Sequence, residues 1–414
     1  MTQQEVSHGC GGEKGLISID QALALILTHT HGLDTEVLPL SQALNRYLAD
    51  DVFSTIDLPL FSQSAVDGYA LASQEPIEAG AQFEVVGEVR AGQTVDVKLL
   101  QGQALRIFTG SQIPIGTTTV ARQEIVEVLS TQEIRINEKL KLHADIRDAG
   151  EELTQGQLLA PAGQKLNTGG IAALSMAGVK QLKVFKYPKI AVVITGDEVA
   201  EAVECLNSGK IFDANGPLIQ AWFQTQNQCI DLIHVNDQQQ QVLNLFDDLK
   251  DQYDVILSTG GVSVGDYDFV RPVALKLGFE QIFWKVKQKP GKPMLFAKYQ
   301  RKDQKQCYLL GLPGNPAAVY IGMQIYVSTL LNALQGQKIQ PQWLNGIISH
   351  TLKPDTRERF LRMSAVFEQG HLSLKSLAKQ QSHMLSNLFN ANCIVRVPAE
   401  QDIHKGQILS VLFI

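Results

Sequence analysis

Apolar positions along the chain change their spacing near residue 187, and the change divides it. Ahead of it, residues 17–30 (ISIDQALALILTHT) carry apolar side chains at helical spacing. Ser18, followed three residues later by Gln21, reads as a capping box that starts this helix. Over 61–152 the pattern becomes short β-type runs separated by Gly and Pro, namely FEVVGEV, ALRIFTG, TTTVARQEIVEVL and EIRINEKL. A second helix is predicted over 168–177. From Lys189 onward, strand-length apolar runs alternate with helical stretches: IAVVIT, PLIQAWFQTQ, IDLIHV, a helix after Asp237, DVILST, and DFVRPVALKLG. IFWKVK, MLFAKY and CYLLGL follow as strands, and a long helix over 316–334 closes the unit.

Such alternation predicts a doubly wound, mostly parallel α/β sheet with helices on both faces. Right-handed crossovers then gather the loops after the strands at one edge, where ligands of these sheets bind. The fold class expected is therefore multidomain α/β and β. An N-terminal linking domain spans 15–60 and 153–186, interrupted by a β-rich inserted domain at 61–152. The α/β domain follows at 187–334, and a C-terminal β domain at 340–414.

Composition narrows the function classes. With 44% hydrophobic residues among 414, the chain has enough apolar material for several cores. Its net charge of −6 argues against a nucleic-acid partner. No uninterrupted apolar run reaches the roughly 18 residues of a membrane span. The five cysteines are scattered without paired spacing, and the first residues lack the layout of a signal peptide, so a cytoplasmic protein with no membrane partner is expected. His8 and Cys10 sit in a glycine-rich leader, where a mobile tail is the simpler reading than a metal site.

Chemistry concentrates after the strands. IAVVIT leads into Gly196-Asp197-Glu198, DVILST into the Gly260–Asp268 loop, and CYLLGL into Pro313-Gly314-Asn315-Pro316. A glycine-rich turn opening a helix offers free N–H groups to an anion, although this one is neither a dinucleotide fingerprint nor a P-loop. Lys285, Lys287 and Lys289 recur at spacing two, so one continuous strand would put all three on one face, with Lys292 in the rigid loop beyond. Asp197, Glu198, Asp237, Asp266 and Asp268 share the same edge. One or two carboxylates with phosphate oxygens suit Mg²⁺, although Asp237 and Asp266 could simply cap helices. Asn315 before Pro316 is a good helix start on its own account. Asp67-Gly68 reads as a turn.

Taken in order, PLFSQSAVDGYA, RIFTGSQIPIG, DIRDAGEE, ITGDEV, DAN (213–215), STGGVSVGDYD, KVKQKPGKP and GLPGNP resemble the molybdopterin molybdenumtransferase family, which shares a domain with gephyrin. The resemblance runs over nearly the whole chain from about Gly15. It implies an elongated homodimer of four-domain subunits and a Mg²⁺-dependent insertion of molybdenum from molybdate into adenylylated molybdopterin, with release of AMP. It also implies contact with the adenylyltransferase that makes this substrate.

By motif, the resemblance implies catalytic roles for Asp67, Glu198, Asp268, Lys285 and Lys289, with Asp67 reaching the α/β domain of the partner subunit. It implies substrate contacts for Thr109, Arg147, Asp237, Gly260, Gly261, Ser263, Gly265, Lys292, Pro313, Pro316, Arg362 and Ser382, and Mg²⁺ ligation by Glu198, Asp237 and Asp268. Val66 stands where the family usually has Met, Glu152 where it has Asp, and Gln381 where it has Gly. Two alternatives keep the α/β domain but change the role: a nucleotide-pyrophosphate hydrolase of the competence-damage type, and a non-enzymatic scaffold. The DGYA segment and the C-terminal domain weigh against the first, and the acidic–basic set against the second.

Overall fold

The computed structural model describes residues 15–94, 96–197, 199–200, 210–263, 265 and 268–414. His8, Cys10, Glu198 and Asp266 therefore lie outside the described residues. The chain forms two units, one of residues 1–34 with 185–414 and one of residues 35–184.

In the first unit a six-stranded sheet runs in the order Asp231–Val235, Ile190–Thr195, Val255–Thr259, Gln306–Leu312, Leu295–Gln300, Glu280–Trp284. The first four strands are parallel and the last two antiparallel, which is the mostly parallel sheet expected. Strand alternation sends successive side chains to opposite layers. Ile190, Val192 and Ile194 enter one buried core, whereas Ala191 and Val193 enter the other. The helix Ile19–His29 packs into the first core through Ile19, Ala22, Leu23 and Ile26. Residues 15–34, expected with the linking domain, thus group with the α/β sheet, because the apolar stripe of that helix covers a sheet face.

The segment 316–334 is helical throughout but not uniformly so: Pro316–Gly322 and Ser328–Leu334 flank a π-helical stretch, Met323–Val327. Its 19 residues are apolar and long enough to cross a membrane by composition, yet 78% of the apolar window is buried inside the protein, as a core helix requires. The Ser328 and Thr329 hydroxyls donate to the Gln324 and Ile325 carbonyls, each at 2.6 Å, satisfying groups that the irregular turn disturbs.

Residues beyond 340 form a β domain. The strands Glu358–Glu368, His371–Ser376, Leu344–Ile348, Ile408–Phe413 and Cys393–Val397 pair in a ring that closes back on the first. Closure removes free edges. A two-residue strand, Gln288–Lys289, from the basic segment adds to the outside of Glu358–Glu368.

The second unit is built on a six-stranded sheet in the order Thr119–Arg122, Gly68–Leu71, Gln103–Ile107, Gln82–Val89, Glu133–Ile136, Val126–Ser130. The run TTTVARQEIVEVL is split by a 3-10 turn at Gln123–Ile125 into two strands. Gly68 is no hairpin turn: it opens a buried strand, where a Cβ would stand 1.9 Å from the Ala121 carbonyl oxygen. Only glycine fits so close to a neighbouring backbone. The predicted second helix is Thr168–Met176, started by the Asn167 side chain accepting from the Gly170 N–H at 2.8 Å.

Ser18 and Gln21 satisfy each other's backbone N–H groups at 3.1 and 2.9 Å, the reciprocal pattern of a capping box. Ser18→Ala is expected to destabilise the α/β unit by about 1 kcal/mol. The measurement is thermal unfolding, and an unchanged midpoint would show that burial of this helix alone fixes its start.

Candidate functional site

A cavity of about 330 Å³ opens at the carboxyl end of the parallel strands. Its walls include Thr195 and Gly196, Asp213 to Asn215, Asp237, Gly260 and Gly261, Gly265 and Asp268, and Gly314 and Pro316. The glycines are required there. Gly260 and Gly261 have φ of 86° and 64°, and a Cβ on Gly260 would lie 2.6 Å from Thr195 Oγ1. The backbone is thereby brought to the cavity wall, where peptide N–H groups can meet an anion.

The Asp268 and Asp213 carboxylates of this cavity are each anchored. Asp268 Oδ2 accepts from the Gly265 N–H at 2.6 Å, fixing the loop's own turn. The Asp237 N–H donates to Asp197 Oδ1 at 3.1 Å, and the helix that follows, Gln239–Leu249, has Gln238 rather than Asp237 as its N-cap. Asp213 does what a helix cap does, its Oδ1 accepting from the N–H groups of Asn215 and Gly216 at 2.8 and 3.0 Å. Its other oxygen lies 3.1 Å from His234 Nε2. Asn215 Nδ2 reaches the Gly314 carbonyl at 2.8 Å and so latches two loops of the site together. Neither Asp213 nor Asn215 was among the predicted site residues. The DAN run is part of the family pattern, but the topology that carries it to the cavity is not visible in spacing.

A second cavity, about 590 Å³, adjoins the same Pro313–Pro316 loop. Its wall carries Lys289, Lys292, Arg357 and Arg359, with Asp355 as the opposing carboxylate and Pro313, Asn315 and Ser382 beside them. Lys289 Nζ donates to Asp355 Oδ2 at 2.9 Å, and that bond holds the Asp355 carboxyl below its ordinary range. Arg359 Nε is buried without a hydrogen-bond partner. Cations exceed anions on this surface, the reverse of the chain as a whole.

Several predicted positions fall elsewhere. Lys285 does not continue a strand shared with Lys287 and Lys289. The strand ends at Trp284, and Lys285 has a φ of 77°, which breaks the two-residue alternation. Its ammonium sits 4.2 Å from the centroid of the Trp284 ring. Ser263 is exposed. Arg362 is 2% exposed and is not among the residues lining either cavity described above. Its guanidinium donates to the carbonyls of Lys379, Gln381 and Met384, holding the loop that carries Ser382, and burial lowers its pKa. The Asn315 side chain makes no cap bond, although Pro316 does open its helix.

Asp67, Thr109 and Arg147 belong to residues 35–184, where Asp67 and Thr109 are in direct contact and Arg147 lies on a neighbouring strand. Arg147 pairs with Gln63, and the Gly110 N–H donates to the Ser64 carbonyl at 2.9 Å. Asp67 Oδ1 accepts from both the backbone N–H and the hydroxyl of Thr109, each at 2.8 Å. The backbone bond first, and the hydroxyl second, hold this exposed carboxyl below its usual range.

For Mg²⁺, the described residues contain no group of three or more His, Cys, Asp or Glu side chains able to hold a metal ion. Asp237 and Asp268 do line one cavity. A pair of carboxylates fits an ion that completes its shell with substrate phosphate and water.

Family models match along the chain: the MoeA N-terminal region (domain I and II) over residues 17–178, a probable molybdopterin binding domain over 191–333, and the MoeA C-terminal region (domain IV) over 349–414. A molybdopterin molybdenumtransferase of Haemophilus influenzae is 31% identical over 403 residues, covering 96% of this chain and 98% of that one. One from Staphylococcus epidermidis is 30% identical over 409 residues, with 96% and 95% covered. The solved molybdopterin biosynthesis MoeA protein of Pyrococcus horikoshii has the same fold, with a TM-score of 0.80 at 24% identity over 96% of this chain and all of that one.

Thr109→Val removes the hydroxyl donor and keeps the N–H. The Asp67 carboxyl, depressed by both, is then expected to titrate part of the way back toward its ordinary value of about 3.9. Carboxyl ¹³C NMR titration checks this; an unchanged midpoint would show that the backbone bond alone sets it.

Proposed function

The chain belongs to the MoeA family of molybdopterin molybdenumtransferases, enzymes of molybdenum cofactor biosynthesis, and on that premise we propose how its residues divide the reaction. The observation that supports the division is the Pro313–Pro316 loop, which forms part of two cavities at once. Gly314 and Pro316 line the carboxylate-bearing one, and Pro313 and Asn315 the cation-bearing one. The substrates are adenylylated molybdopterin and molybdate.

In this reading the backbone N–H groups of the Gly260–Gly265 loop hold the phosphates of adenylylated molybdopterin, with the carboxylates of Asp237 and Asp268 beside them. Those carboxylates, joined by Glu198, would hold Mg²⁺, which when bound neutralises phosphate charge and orders a water. Lys289 and Lys292, with Arg357 and Arg359, draw in molybdate. They also stabilise the negative charge that develops as the phosphoanhydride opens and AMP leaves. Lys285, held on Trp284, adds a cation on the side of the glycine loop's start, where that indole bonds Val262. Arg362 acts through the loop that it supports rather than by touching substrate.

The expected homodimer completes the site, Asp67 of one protomer facing the α/β cavities of its partner. Thr109 keeps that carboxyl ionised and oriented. Contact with the adenylyltransferase, a cytoplasmic location and the four-domain division with boundaries near 61, 153, 187 and 340 complete the proposal. Family membership over the N-terminal and C-terminal regions, not only the α/β domain, weighs against the hydrolase alternative, and full-length similarity to molybdenumtransferases weighs against a pure scaffold.

Purified protein is expected to release AMP from adenylylated molybdopterin only when molybdate and Mg²⁺ are both supplied. Equal release without molybdate would favour a simple hydrolase. Asp67→Asn and Lys289→Ala should each lower kcat by about 10²-fold or more, as losses of charge-stabilising groups do. Mixing them tests the dimer site. A purified heterodimer of the two variants should regain about half of wild-type turnover, because one of its two sites is then unaltered. A heterodimer as inactive as its parents would place both residues in one chain's site.

A further inference from the structure

We propose that Trp284 is a positioning residue that holds Lys285 and the start of the glycine-rich loop, residues 260–262, in one fixed arrangement, an inference that rests on Lys285 acting in the reaction as proposed above. The strand Glu280–Trp284 stops at this indole, and the chain turns through a left-handed Lys285 with φ of 77°. A turn of that kind is costly for a residue with a Cβ unless its surroundings hold it. Here the turn returns the lysine side chain over the preceding residue, with Nζ 4.2 Å from the ring centroid. That is well inside the reach of a cation–π contact.

The same indole is tied to the loop. Its Nε1–H donates to the Val262 carbonyl at 2.7 Å, immediately after the two positive-φ glycines. The Gly261 carbonyl accepts from the Val270 N–H at 3.0 Å, so the start of the loop is held from two directions. Arg271, one residue into the helix after the loop, places its guanidinium carbon 4.0 Å from the Trp284 ring centroid and donates through Nε to Gln281 at 2.7 Å. One side chain therefore touches the loop, the helix that follows it and the candidate catalytic lysine. Trp284 also packs against the core cluster on that sheet face. A space-filling residue, however, needs neither an acceptor for its N–H nor a cation on its ring. Phe would keep the ring and lose the N–H; Leu would lose both.

The test is the steady-state kinetics of molybdate-dependent AMP release in the full-length protein. The variants are Trp284→Phe, Trp284→Leu, Lys285→Ala, and the last two combined. Lys285→Ala is expected to lower kcat by about 10²-fold. Trp284→Leu should lower kcat by about tenfold, within the range of a desolvated cation–π contact. Trp284→Phe should keep most of kcat and instead raise KM for adenylylated molybdopterin, because only the loop loses its tether. In the Lys285→Ala background, Trp284→Leu should cost clearly less than it does alone, as coupled residues do.

Equal cost in both backgrounds, with Trp284→Phe as impaired as Trp284→Leu, would overturn the proposal. Fluorescence supplies a readout independent of turnover. The emission difference between wild type and Trp284→Phe isolates this indole among the three tryptophans, and it should shift in Lys285→Met. No shift would overturn the contact itself. A shift together with wild-type kcat in Lys285→Ala would overturn the role given to Lys285 and leave the contact standing.

Discussion

A single buried amide ties the basic cavity to the rest of its unit. Gln288 is fully buried, its Oε1 accepting from the Tyr326 hydroxyl and its Nε2 donating to the carbonyls of Pro290 and Gly291 at 3.1 and 3.2 Å. Its own carbonyl accepts from Arg357 at 3.2 Å, and its strand pairs with Glu358 and Arg359 of the C-terminal domain. The π-helical turn that contains Tyr326, the lysine-bearing loop and the β ring are therefore joined through one residue. A buried polar group costs free energy unless its bonds are made, and this one makes bonds at both ends of its amide. Through the Pro290 and Gly291 carbonyls it anchors the loop that carries Lys289 and Lys292.

That placement resolves an apparent conflict in the electrostatics. The chain is acidic overall, with a net charge of −6, yet one cavity is dominated by cations. Charge summed over the chain bears on solubility and long-range attraction, whereas a small anion responds to the few groups within a Debye length of about 8–10 Å. Carboxylates line one cavity and cations its neighbour, with the Pro313–Pro316 loop common to both, so in the proposed division opposite charges would act on one substrate. Asp355 is the exception, and its pairing with Lys289 moderates the basic surface without cancelling it.

Much of the frame was legible because it follows from local rules. The capping box at Ser18, the strand at Ile190–Thr195 with both faces buried, and the glycine loop after Thr259 all depend on residues close in sequence. The resemblance carried the family and most of the candidate site. What went astray depended on backbone conformation or on distant partners. Three lysines at spacing two suggested one face, but a single left-handed residue at Lys285 removed the alternation. Arg362 looks like a substrate-binding cation in isolation; what spacing does not record is its burial among three carbonyls. Asp213 and Asn215 went unassigned because their value lies in reaching Gly216, His234 and Gly314.

By itself, then, the sequence determined the elements, the parallel α/β class, the family and the chemical types available for an anionic substrate. Periodicity, capping and glycine usage are short-range properties, and each is written in a few consecutive residues. Only the tertiary structure decided that the helix at Ile19–His29 covers the α/β sheet, that Lys285 rests on Trp284, and that two cavities of opposite charge share one loop. The first and last of those outcomes depend on contacts between residues tens or hundreds of positions apart, and the second on a left-handed backbone at Lys285; burial and hydrogen bonding select them and spacing along the chain does not record them.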